Sequence, residues 1–299
     1  MTQTPLKWQS KTVLLAVLPY VCAALVVQVH FWILQDWAVA VWALGLSALL
    51  GVVVLALHAA TQGGAATGFA ISASVMFSTA TVPYEPWRTG MMPILAVALL
   101  THLATRLGRA RKEELGIAEA KTGRKAAQVA ANLGLAALAM SPVVQVLLAD
   151  ADWFPKSWLG TGVIFAMGLA ALAEAAADTV SSEIGQVLGG TPRMITTLRA
   201  VEPGTDGAIS VMGTLAGAGA AIVIAAVGTW ALHGDRLLFA ASVAGGVFGL
   251  FFDSVLGATL ELRGKLNNDA VNFLSTVSAA GFAVGVLMGI AVVRGVWGR

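Results

Sequence analysis

Charged side chains are scarce in this sequence of 299 residues, where Asp, Glu, Lys and Arg together make up only 11%. A soluble globular domain carries about a quarter of its residues as charged ones. Hydrophobic residues make up 58% of the chain, and the mean hydropathy is +0.81. The composition therefore excludes an ordinary soluble domain and predicts a protein with several membrane-spanning segments.

Cysteine is nearly absent, because the single residue of this type, Cys22, lies within the first apolar run. A disulfide framework and a cysteine-based metal site are therefore excluded. The histidines show no metal-ligand spacing, and we interpret them as interfacial or packing residues: His30, His58, His102 and His233.

The sequence also lacks strong internal repeats and any polar stretch long enough for a separate soluble domain. We therefore expect residues 1–299 to form one integral membrane domain. Its N-terminal helices lie within 1–105, and residues 106–299 carry the main polar motifs.

Apolar runs long enough to cross a membrane recur along the chain, since a helix needs about 20 residues to span the hydrocarbon core. The candidate spans are 12–34, 37–57, 64–82, 90–106, 126–149, 157–178, 208–232, 237–260 and 272–296. We interpret the first as a retained anchor and not as a signal peptide, because its apolar core is long and no clear cleavage site follows. The sequence thus predicts an all-α fold, a polytopic transmembrane helix bundle of about nine spans.

The basic residues are distributed unevenly between the two sides of this topology. With a cytoplasmic N-terminus, most of the 18 lysines and arginines lie on the inner side, as the positive-inside rule requires. The polar loops 106–125, 179–207 and 261–271 then face the cytoplasm, where we expect the active site, at the inner membrane if the cell is bacterial. We interpret the 106–125 run mainly as a topology determinant that contacts anionic lipid.

Acidic residues recur at helical spacing near the ends of two apolar stretches. In LAEAAADTVSSEIGQVLGG, the residues that share one helix face at intervals of four are Glu174, Asp178 and Ser182. FFDSVLGATLEL repeats the spacing with Asp253, Gly257 and Glu261, and Gln128 and Asn132 form a third polar pair. Ionisable groups inside membrane segments usually mark a functional site. The alternative is a structural role in interhelical hydrogen bonds or salt bridges.

The segments between the spans are rich in Gly, Thr and Asn. GGTPRMITTLR and EPGTDGAIS combine glycines, which let backbone N–H groups approach a ligand, with arginines that bind phosphate in a bidentate manner. KLNNDAVNF opens the last span. Taken singly, Asp206 and the asparagines are best interpreted as turn or capping residues. Together, basic residues and clustered carboxylates at one face favour phosphate groups with Mg²⁺, which is typically held by one or two carboxylates and substrate oxygens.

Several of these motifs occur in the order typical of one family. From about residue 100 onward, the chain resembles the family of transmembrane protein 19 and plant phytyl-phosphate kinase, long catalogued as a domain of unknown function. The motifs that carry this resemblance are, in order, KTGRKAAQVAAN, ADTVSSEIGQVLGGTPRMITTLRAVEPGTDGAIS, DSVLGATLE and NNDAVN. The chain departs from the family pattern at Ala177, where Gly is common, at Val180 and Ser181, which replace Trp-Ala, and at Ala208 and Glu261.

This resemblance implies a membrane-embedded kinase that transfers a phosphoryl group from a nucleoside triphosphate, CTP being favoured, to an isoprenoid monophosphate. The implied catalytic residues are Asp178, Glu183, Asp253 and Arg193, and the implied Mg²⁺ ligands are Asp178, Glu183, Asp253 and Glu174. The implied nucleotide- and phosphate-binding residues are Lys121, Arg124, Gln128, Asn132, Ser182, Thr197, Gly204, Thr205, Asp206, Gly207, Asn267, Asn268 and Asn272.

Two other functions remain as alternatives. A secondary transporter would also use intramembrane carboxylates and Gly-broken helices, although here the polar motifs gather at one face. A cytidylyltransferase that forms a CDP-lipid would also use Mg²⁺ and a cytoplasmic acidic cluster. The expected partners are a nucleoside triphosphate, a prenyl monophosphate and membrane lipids, without nucleic acid, and the prenyl chain length and oligomeric state stay open.

Overall fold

The computed structural model describes residues 6–117, 123–150 and 162–293. Its helices are α1 (Trp8–Gln35), α2 (Trp37–Ala56), α3 (Gln62–Ser78), α4 (Met91–Arg106), α5 (Arg109–Glu114), α6 (Ala126–Ala139), α7 (Pro142–Asp150), α8 (Gly162–Leu188), α9 (Val211–Ala231), α10 (Arg236–Leu256) and α11 (Asn268–Val293). A π-helical turn, Gly257–Glu261, continues α10, and two short strands, β1 (Arg193–Met194) and β2 (Ala208–Ile209), pair antiparallel between α8 and α9.

Hydrogen bonds gather the starts of several helices at one end of the bundle, which we call the polar end. Asn267 Nδ2 donates to Ser10 Oγ at 2.7 Å, and Ser10 Oγ donates to Asp269 Oδ2 at 2.6 Å. The Thr61 amide donates to the Arg124 carbonyl oxygen at 3.0 Å. These bonds join the N-terminal turn of α1 to that of α11, and the start of α3 to that of α6. The starts of α1, α6 and α11 also line one cavity.

Helix α8 forms the centre of the bundle. Of its most apolar 18-residue window, 83% is buried, against 22% for α1 and for α2. It packs against α4, α6, α9, α10 and α11. Its many alanines allow this, because small side chains let neighbouring helix backbones approach closely. The helix that carries the first acidic motif is therefore the most enclosed of the six described helices that are long and apolar enough to cross a membrane.

Fewer helices have the length expected of a span than the sequence predicts. Six described helices are long and apolar enough to cross a membrane, or seven if the bent pair α6–α7 counts as one span. The prediction of nine spans is therefore not confirmed. The third and fourth predicted spans correspond to α3, of 17 residues, and α4, of 16 residues. Most of α3 is buried, so its Gly, Ser and Thr residues pack against protein.

Three predicted boundaries were wrong. The helix predicted over 126–149 bends by 51° between α6 and α7, where Pro142 lacks the N–H group needed to continue the hydrogen-bond ladder. Residues 179–188, predicted as loop, extend α8 to Leu188. The β1–β2 pair is a small exception to the all-α prediction: β1 lies in the predicted 179–207 loop, whereas β2 covers the first residues of the predicted span 208–232, so that α9 begins only at Val211.

Glycines at intervals of four set the distance between α9 and α8. A Cβ atom on Gly217 would lie 2.7 Å from the backbone oxygen of Ala177 and 2.8 Å from Ser181 Cβ. Gly245 and Gly249 similarly contact residues of α8 and α11. In contrast, an added Cβ at Gly281, Gly285 or Gly289 meets nothing within 4 Å, so this third stripe does not pack closely against any described residue.

We predict that Gly217→Leu lowers the free energy of unfolding by about 1–3 kcal/mol, because the new side chain overpacks the α8–α9 contact. The measurement is the apparent melting temperature of the purified protein in detergent. Gly219→Leu is the matched control on the same helix, since a Cβ there meets nothing within 4 Å. Equal melting temperatures for the two variants would contradict close packing at Gly217.

Candidate functional site

Acidic residues of α8 and α10 converge at the polar end. The carboxyl groups of Asp178 and Asp253 are close enough for a direct side-chain hydrogen bond, and Glu174 lies within electrostatic range of both. We call Glu174, Asp178 and Asp253 the carboxylate cluster. Neighbouring carboxylates repel one another unless they share a proton or a cation. The cluster is therefore stabilised by a proton shared between its carboxyl groups or by a cation close by.

Several oxygens of the carboxylate cluster have no hydrogen-bond partner among the described residues: Glu174 Oε1, Glu174 Oε2 and Asp253 Oδ2. Glu174 is only 1% exposed. The hydroxyl group of Ser275, which lies beside Glu174 and Asp253, donates its proton to the Asn272 carbonyl oxygen at 2.9 Å. Gly249 makes room for Glu174, because a side chain there would collide with Glu174 Cγ. Unpaired buried carboxylate oxygens are costly, so they point to a ligand that satisfies them.

Arg124 brings a guanidinium group to the carboxylate cluster. Its Nη2 atom donates to Thr179 Oγ1 at 3.4 Å, and its charge acts on Asp178. The backbone fixes this position, because Arg124 N donates to Ala59 O at 2.9 Å. Gly123, at φ +74°, fits against the 58–60 backbone, where any side chain would clash. The arrangement holds a cation beside the acidic groups.

A chain of amides links α6 to α11 beside the cluster. Asn132 Nδ2 donates to the Gln128 carbonyl oxygen at 2.8 Å, and Asn272 Nδ2 donates to Asn132 Oδ1 at 3.3 Å. Asn272 in turn positions Ser275, which lies next to Glu174 and Asp253. The three polar sets predicted from the sequence therefore lie in one connected region.

Glu183 forms a buried ion pair with a lysine from the basic run. Lys112 Nζ lies 2.5 Å from Glu183 Oε2, with the two side chains 1% and 12% exposed. The same ammonium group donates to the carbonyl oxygens of Ala104 at 3.1 Å and Thr105 at 3.0 Å. It thus satisfies the C-terminal end of α4 as well as Glu183. Lys112 departs from the prediction that the run mainly contacts lipid.

The 204–207 loop packs against the π-helical turn. Gly204 and Gly207 have φ values of +86° and +76°, a region that favours glycine, and Gly207 lies against Ala258. Thr205 Oγ1 donates to the Glu202 carbonyl oxygen at 2.7 Å. The carboxylate of Asp206 lies close enough to Glu261 for the two like charges to repel each other. Partial burial raises the pKa of Asp206 above its ordinary value. π-helical turns occur often at functional sites.

A polar cavity of about 1060 Å³ lies beside this loop. Four residues predicted to bind nucleotide line it: Gln128, Asp206, Asn267 and Asn268. The other charged residues that line it are Lys7, Lys125, Glu261 and Asp269. The cavity therefore offers amide, carboxylate and ammonium groups, a mixture suited to polar ligands.

The remaining predicted site residues occupy other positions. Ser182 is exposed, and its hydroxyl group donates to the Thr179 carbonyl oxygen. Arg193 is exposed in β1, and its Nη1 atom donates to the Leu198 carbonyl oxygen at 2.8 Å. Thr197, in the same loop, is also exposed. Lys121 lies outside the described residues.

Within the described chain, no three His, Cys, Asp or Glu side chains converge closely enough to hold a metal ion on their own. Mg²⁺ does not require such a set, since one or two carboxylates with substrate oxygens and waters commonly suffice. The adjacent carboxyl groups of Asp178 and Asp253, with the unpaired oxygens of Asp253 and Glu174, have the chemistry of such a partial site. The residues present therefore fit a hard divalent cation that arrives with a phosphate ligand.

Sequence analysis missed two parts of this site. Ser275 lies three residues after Asn272, so the helical period places it on the same face, and this signal was available. Lys112 gave no such signal, because nothing in the basic run distinguishes it from its exposed neighbours. Its burial depends on how α5 packs against α8.

The fold and the site define a class of protein: a polytopic, almost entirely helical integral membrane protein with a carboxylate cluster at one end. The family described as "Integral membrane protein DUF92" matches residues 45–280. The chain therefore belongs to this family, which confirms the resemblance drawn from the ordered motifs.

Relatives with similar sequences come from archaea, cyanobacteria and plants. The chain is 36% identical to uncharacterized membrane protein MJ0933 of Methanocaldococcus jannaschii over 65% of this chain and 74% of that protein. It is 32% identical to uncharacterized membrane protein sll0875 of Synechocystis over 67% of this chain and 74% of that protein. With chloroplastic protein VTE6 of Arabidopsis thaliana it shares 28% identity over 73% of this chain and 63% of that protein. No solved structure matches the chain.

We predict that Lys112→Met destabilises the fold by about 3–5 kcal/mol, because it leaves the Glu183 carboxylate buried without its partner. The measurement is thermal unfolding in detergent. The double variant Lys112→Met/Glu183→Leu should recover most of the loss, because the unpaired charge is removed.

Arg111→Met is the control for this prediction. Arg111 pairs with Glu114 at 3.3 Å, but both side chains are more than 60% exposed, so the change should cost at most about 1 kcal/mol. If Lys112→Met and Arg111→Met lower the stability equally, the ion pair of Lys112 with Glu183 contributes no more to stability than an exposed ion pair.

Proposed function

We propose that this protein is a membrane-embedded kinase that transfers a phosphoryl group from a nucleoside triphosphate, preferably CTP, to an isoprenoid monophosphate. The observation that carries the proposal is the meeting of Asp178 and Asp253 beside Arg124 at the polar end of the bundle. The family resemblance supplies the reaction, and the distant similarity to VTE6 supports it.

Phosphoryl transfer to a prenyl monophosphate requires neutralisation of negative charge more than it requires a general base. A phosphate monoester has its second pKa near about 6 and is mostly a dianion at pH 7, so its oxygen is already nucleophilic. Phosphoryl transfer depends mainly on positioning and electrostatic stabilisation. This agrees with a carboxylate cluster that contains no histidine. The main obstacle is repulsion between the acceptor dianion and the triphosphate.

In the proposed mechanism, residues of four segments divide the work. Asp178 and Asp253 would hold Mg²⁺, and Glu174 would orient this site from the buried side. Bound Mg²⁺ supplies positive charge to the phosphate oxygens. Arg124 binds the phosphate that lies nearest Asp178 through its guanidinium group. Glu183 has a narrower role, because Lys112 holds its Oε2 atom.

The polar cavity is the proposed nucleotide site. Its Asn267 and Asn268 side chains offer hydrogen-bond donors and acceptors to a base or ribose, and Lys125 offers positive charge to phosphates. Gly204 and Gly207 let the adjacent loop turn tightly against the π-helical turn. Arg193 and Thr197 are exposed, and we assign to them the role of closing over the nucleotide when it binds.

Two alternatives differ from the kinase in what they produce. A cytidylyltransferase would use the same cluster but release pyrophosphate. A transporter would move its substrate without consuming a nucleotide, and it would place its site near the membrane midplane. The gathering of the polar groups at one end of the bundle favours the enzymes over the transporter.

We predict that Asp178→Asn and Asp253→Asn each lower kcat by at least about 100-fold, because each variant removes one carboxylate charge at the reacting phosphates. The measurement is phosphorylation of geranylgeranyl monophosphate by the purified protein in detergent, with CTP and Mg²⁺. Near-wild-type turnover in either variant would remove that residue from the mechanism.

Asp235→Asn is the matched control for these variants. Asp235 caps the opposite end of α10 by accepting from the amides of Leu237 and Leu238, and Asn is an equally good cap. Its turnover should stay within about twofold of wild type. A similar loss in this variant would mean that the assay reports general damage to α10.

The products of the wild-type reaction distinguish the enzymes. We predict formation of prenyl diphosphate and a nucleoside diphosphate in equal amounts, with CTP giving the highest rate among the common nucleotides. Chromatography of the radiolabelled mixture measures both. Pyrophosphate together with a CDP-lipid would establish the cytidylyltransferase, and substrate uptake into sealed vesicles without nucleotide would establish the transporter.

A further inference from the structure

A second cavity, of about 560 Å³, lies between α2, α3, α4 and α6. We call it the lipid cavity. One of its regions is apolar and includes Leu50, Phe69, Ile94 and Leu133. Another region carries basic or imidazole side chains: His58, His102, Arg106, Arg109 and Arg124. The lining residues of the described chain include no Asp or Glu.

Apolar and basic groups are separated along the length of this cavity. On α4, the lining runs from Ile94 through Thr101 to Arg106, a distance of about 18 Å along the helix axis. From α2 into the turn that follows it, the lining runs from Leu50 to His58. The basic residues therefore lie at the polar end of the bundle, and the apolar residues lie deeper. Such a cavity matches a molecule with an anionic head and one hydrocarbon tail.

We propose that the lipid cavity binds a single-chain prenyl monophosphate, with its phosphate between Arg106 and Arg124 and its tail along Ile94 and Phe69. The proposal rests on the kinase function, because it places the acceptor substrate of that reaction. It adds residues of α2, α3 and α4 to the site, none of which the sequence motifs indicated.

The lipid cavity adjoins both the carboxylate cluster and the polar cavity. Arg124 lines the lipid cavity and also acts on Asp178. Gly123 lines both cavities. A phosphate bound at Arg124 therefore lies next to the carboxylate cluster, on the side facing a nucleotide in the polar cavity. The acceptor and the donor would meet at the 123–124 segment.

The packing of the helices leaves a route for a tail to enter from lipid. Helix α2 packs mainly against α3, whereas α4 packs mainly against α8 and α9. The seam between α2 and α4 is thus not the main packing contact of either helix. The outer sides of both helices carry exposed leucines, among them Leu49 and Leu99. A prenyl chain can enter along this seam without crossing the polar end.

A substitution at Gly68 in α3 tests the proposed position of the prenyl tail. A Cβ atom there meets only Val129 Cγ1, at an ordinary 3.9 Å, so a leucine side chain would extend into the lipid cavity without a backbone clash. Gly68→Leu should weaken binding of geranylgeranyl monophosphate by about 10-fold or more, while binding of the shorter geranyl monophosphate changes little. Isothermal titration without nucleotide measures both affinities.

Gly45→Leu on α2 is the control, because a Cβ there meets nothing within 4 Å and Gly45 does not line the cavity. Ala98→Leu, at another lining position, serves as a second variant in case Gly68→Leu unfolds, as judged by its melting temperature. If folded Gly68→Leu and Ala98→Leu both bind the long and the short ligand like wild type, the tail lies elsewhere and the proposal fails.

The head group is tested at Arg106. Arg106→Gln should weaken prenyl monophosphate binding by about 10- to 100-fold, because a charge-assisted hydrogen bond is lost, and should leave the KM for CTP unchanged. Arg111→Gln is the matched control, since Arg111 is exposed and does not line the cavity. Equal affinity of Arg106→Gln and wild type would overturn the assignment of the phosphate position.

The choice of ligand separates the possible sources of the phosphate group. Prenyl monophosphate should bind more tightly than prenyl alcohol, inorganic phosphate or phosphatidic acid in vesicles. Tighter binding of phosphatidic acid would replace the prenyl ligand by a membrane lipid and overturn the proposal. Because binding is measured without nucleotide, prenyl monophosphate bound with no CTP-dependent turnover would refute the kinase and leave the lipid cavity assignment intact.

Discussion

The site depends on three carboxyl groups that meet inside the polar end of the bundle, with Glu174 buried and Asp178 and Asp253 partly buried. Charges removed from water are costly unless they are paired or bound to a cation. Glu174 and Asp178 lie on α8, the most enclosed of the long apolar helices, and Asp253 reaches them from α10. Among the described residues, Arg124 brings a guanidinium group to the cluster, and several carboxylate oxygens have no hydrogen-bond partner. The cluster therefore has more negative than positive charge around it, and a positively charged ligand would offset this difference.

The rest of the polar end is arranged around this cluster. The 123–124 segment is held by backbone hydrogen bonds to the residues after α2, and it lies between a mostly apolar cavity with a basic end and a polar cavity. Lys112 fixes the α4–α5 corner to α8 through Glu183. An enzyme that joins a water-soluble nucleotide to a membrane-bound acceptor needs both environments next to each other. The proposed kinase uses them in this way.

Helical periodicity predicted the elements better than it predicted their ends. Apolar runs located α1, α2, α9, α10 and α11 to within a few residues, because their outer sides need hydrocarbon-compatible side chains throughout. The end of α8 was missed, because Asp178 and Glu183 suggested a helix leaving the membrane, whereas protein groups surround them. The bend at Pro142 followed a simple rule that the long apolar run obscured.

The sequence by itself determined the membrane class, the family and the identity of the polar residues, since composition and motif order are properties of the chain. It also indicated which residues share a helix face, because that follows from 3.6 residues per turn. Only the tertiary structure decided which faces meet. Asp178 and Asp253 lie 75 positions apart in the sequence numbering, and no local rule sets the packing of α8 on α10. The same holds for Lys112 and for the lipid cavity, whose linings come from helices that periodicity cannot place relative to one another.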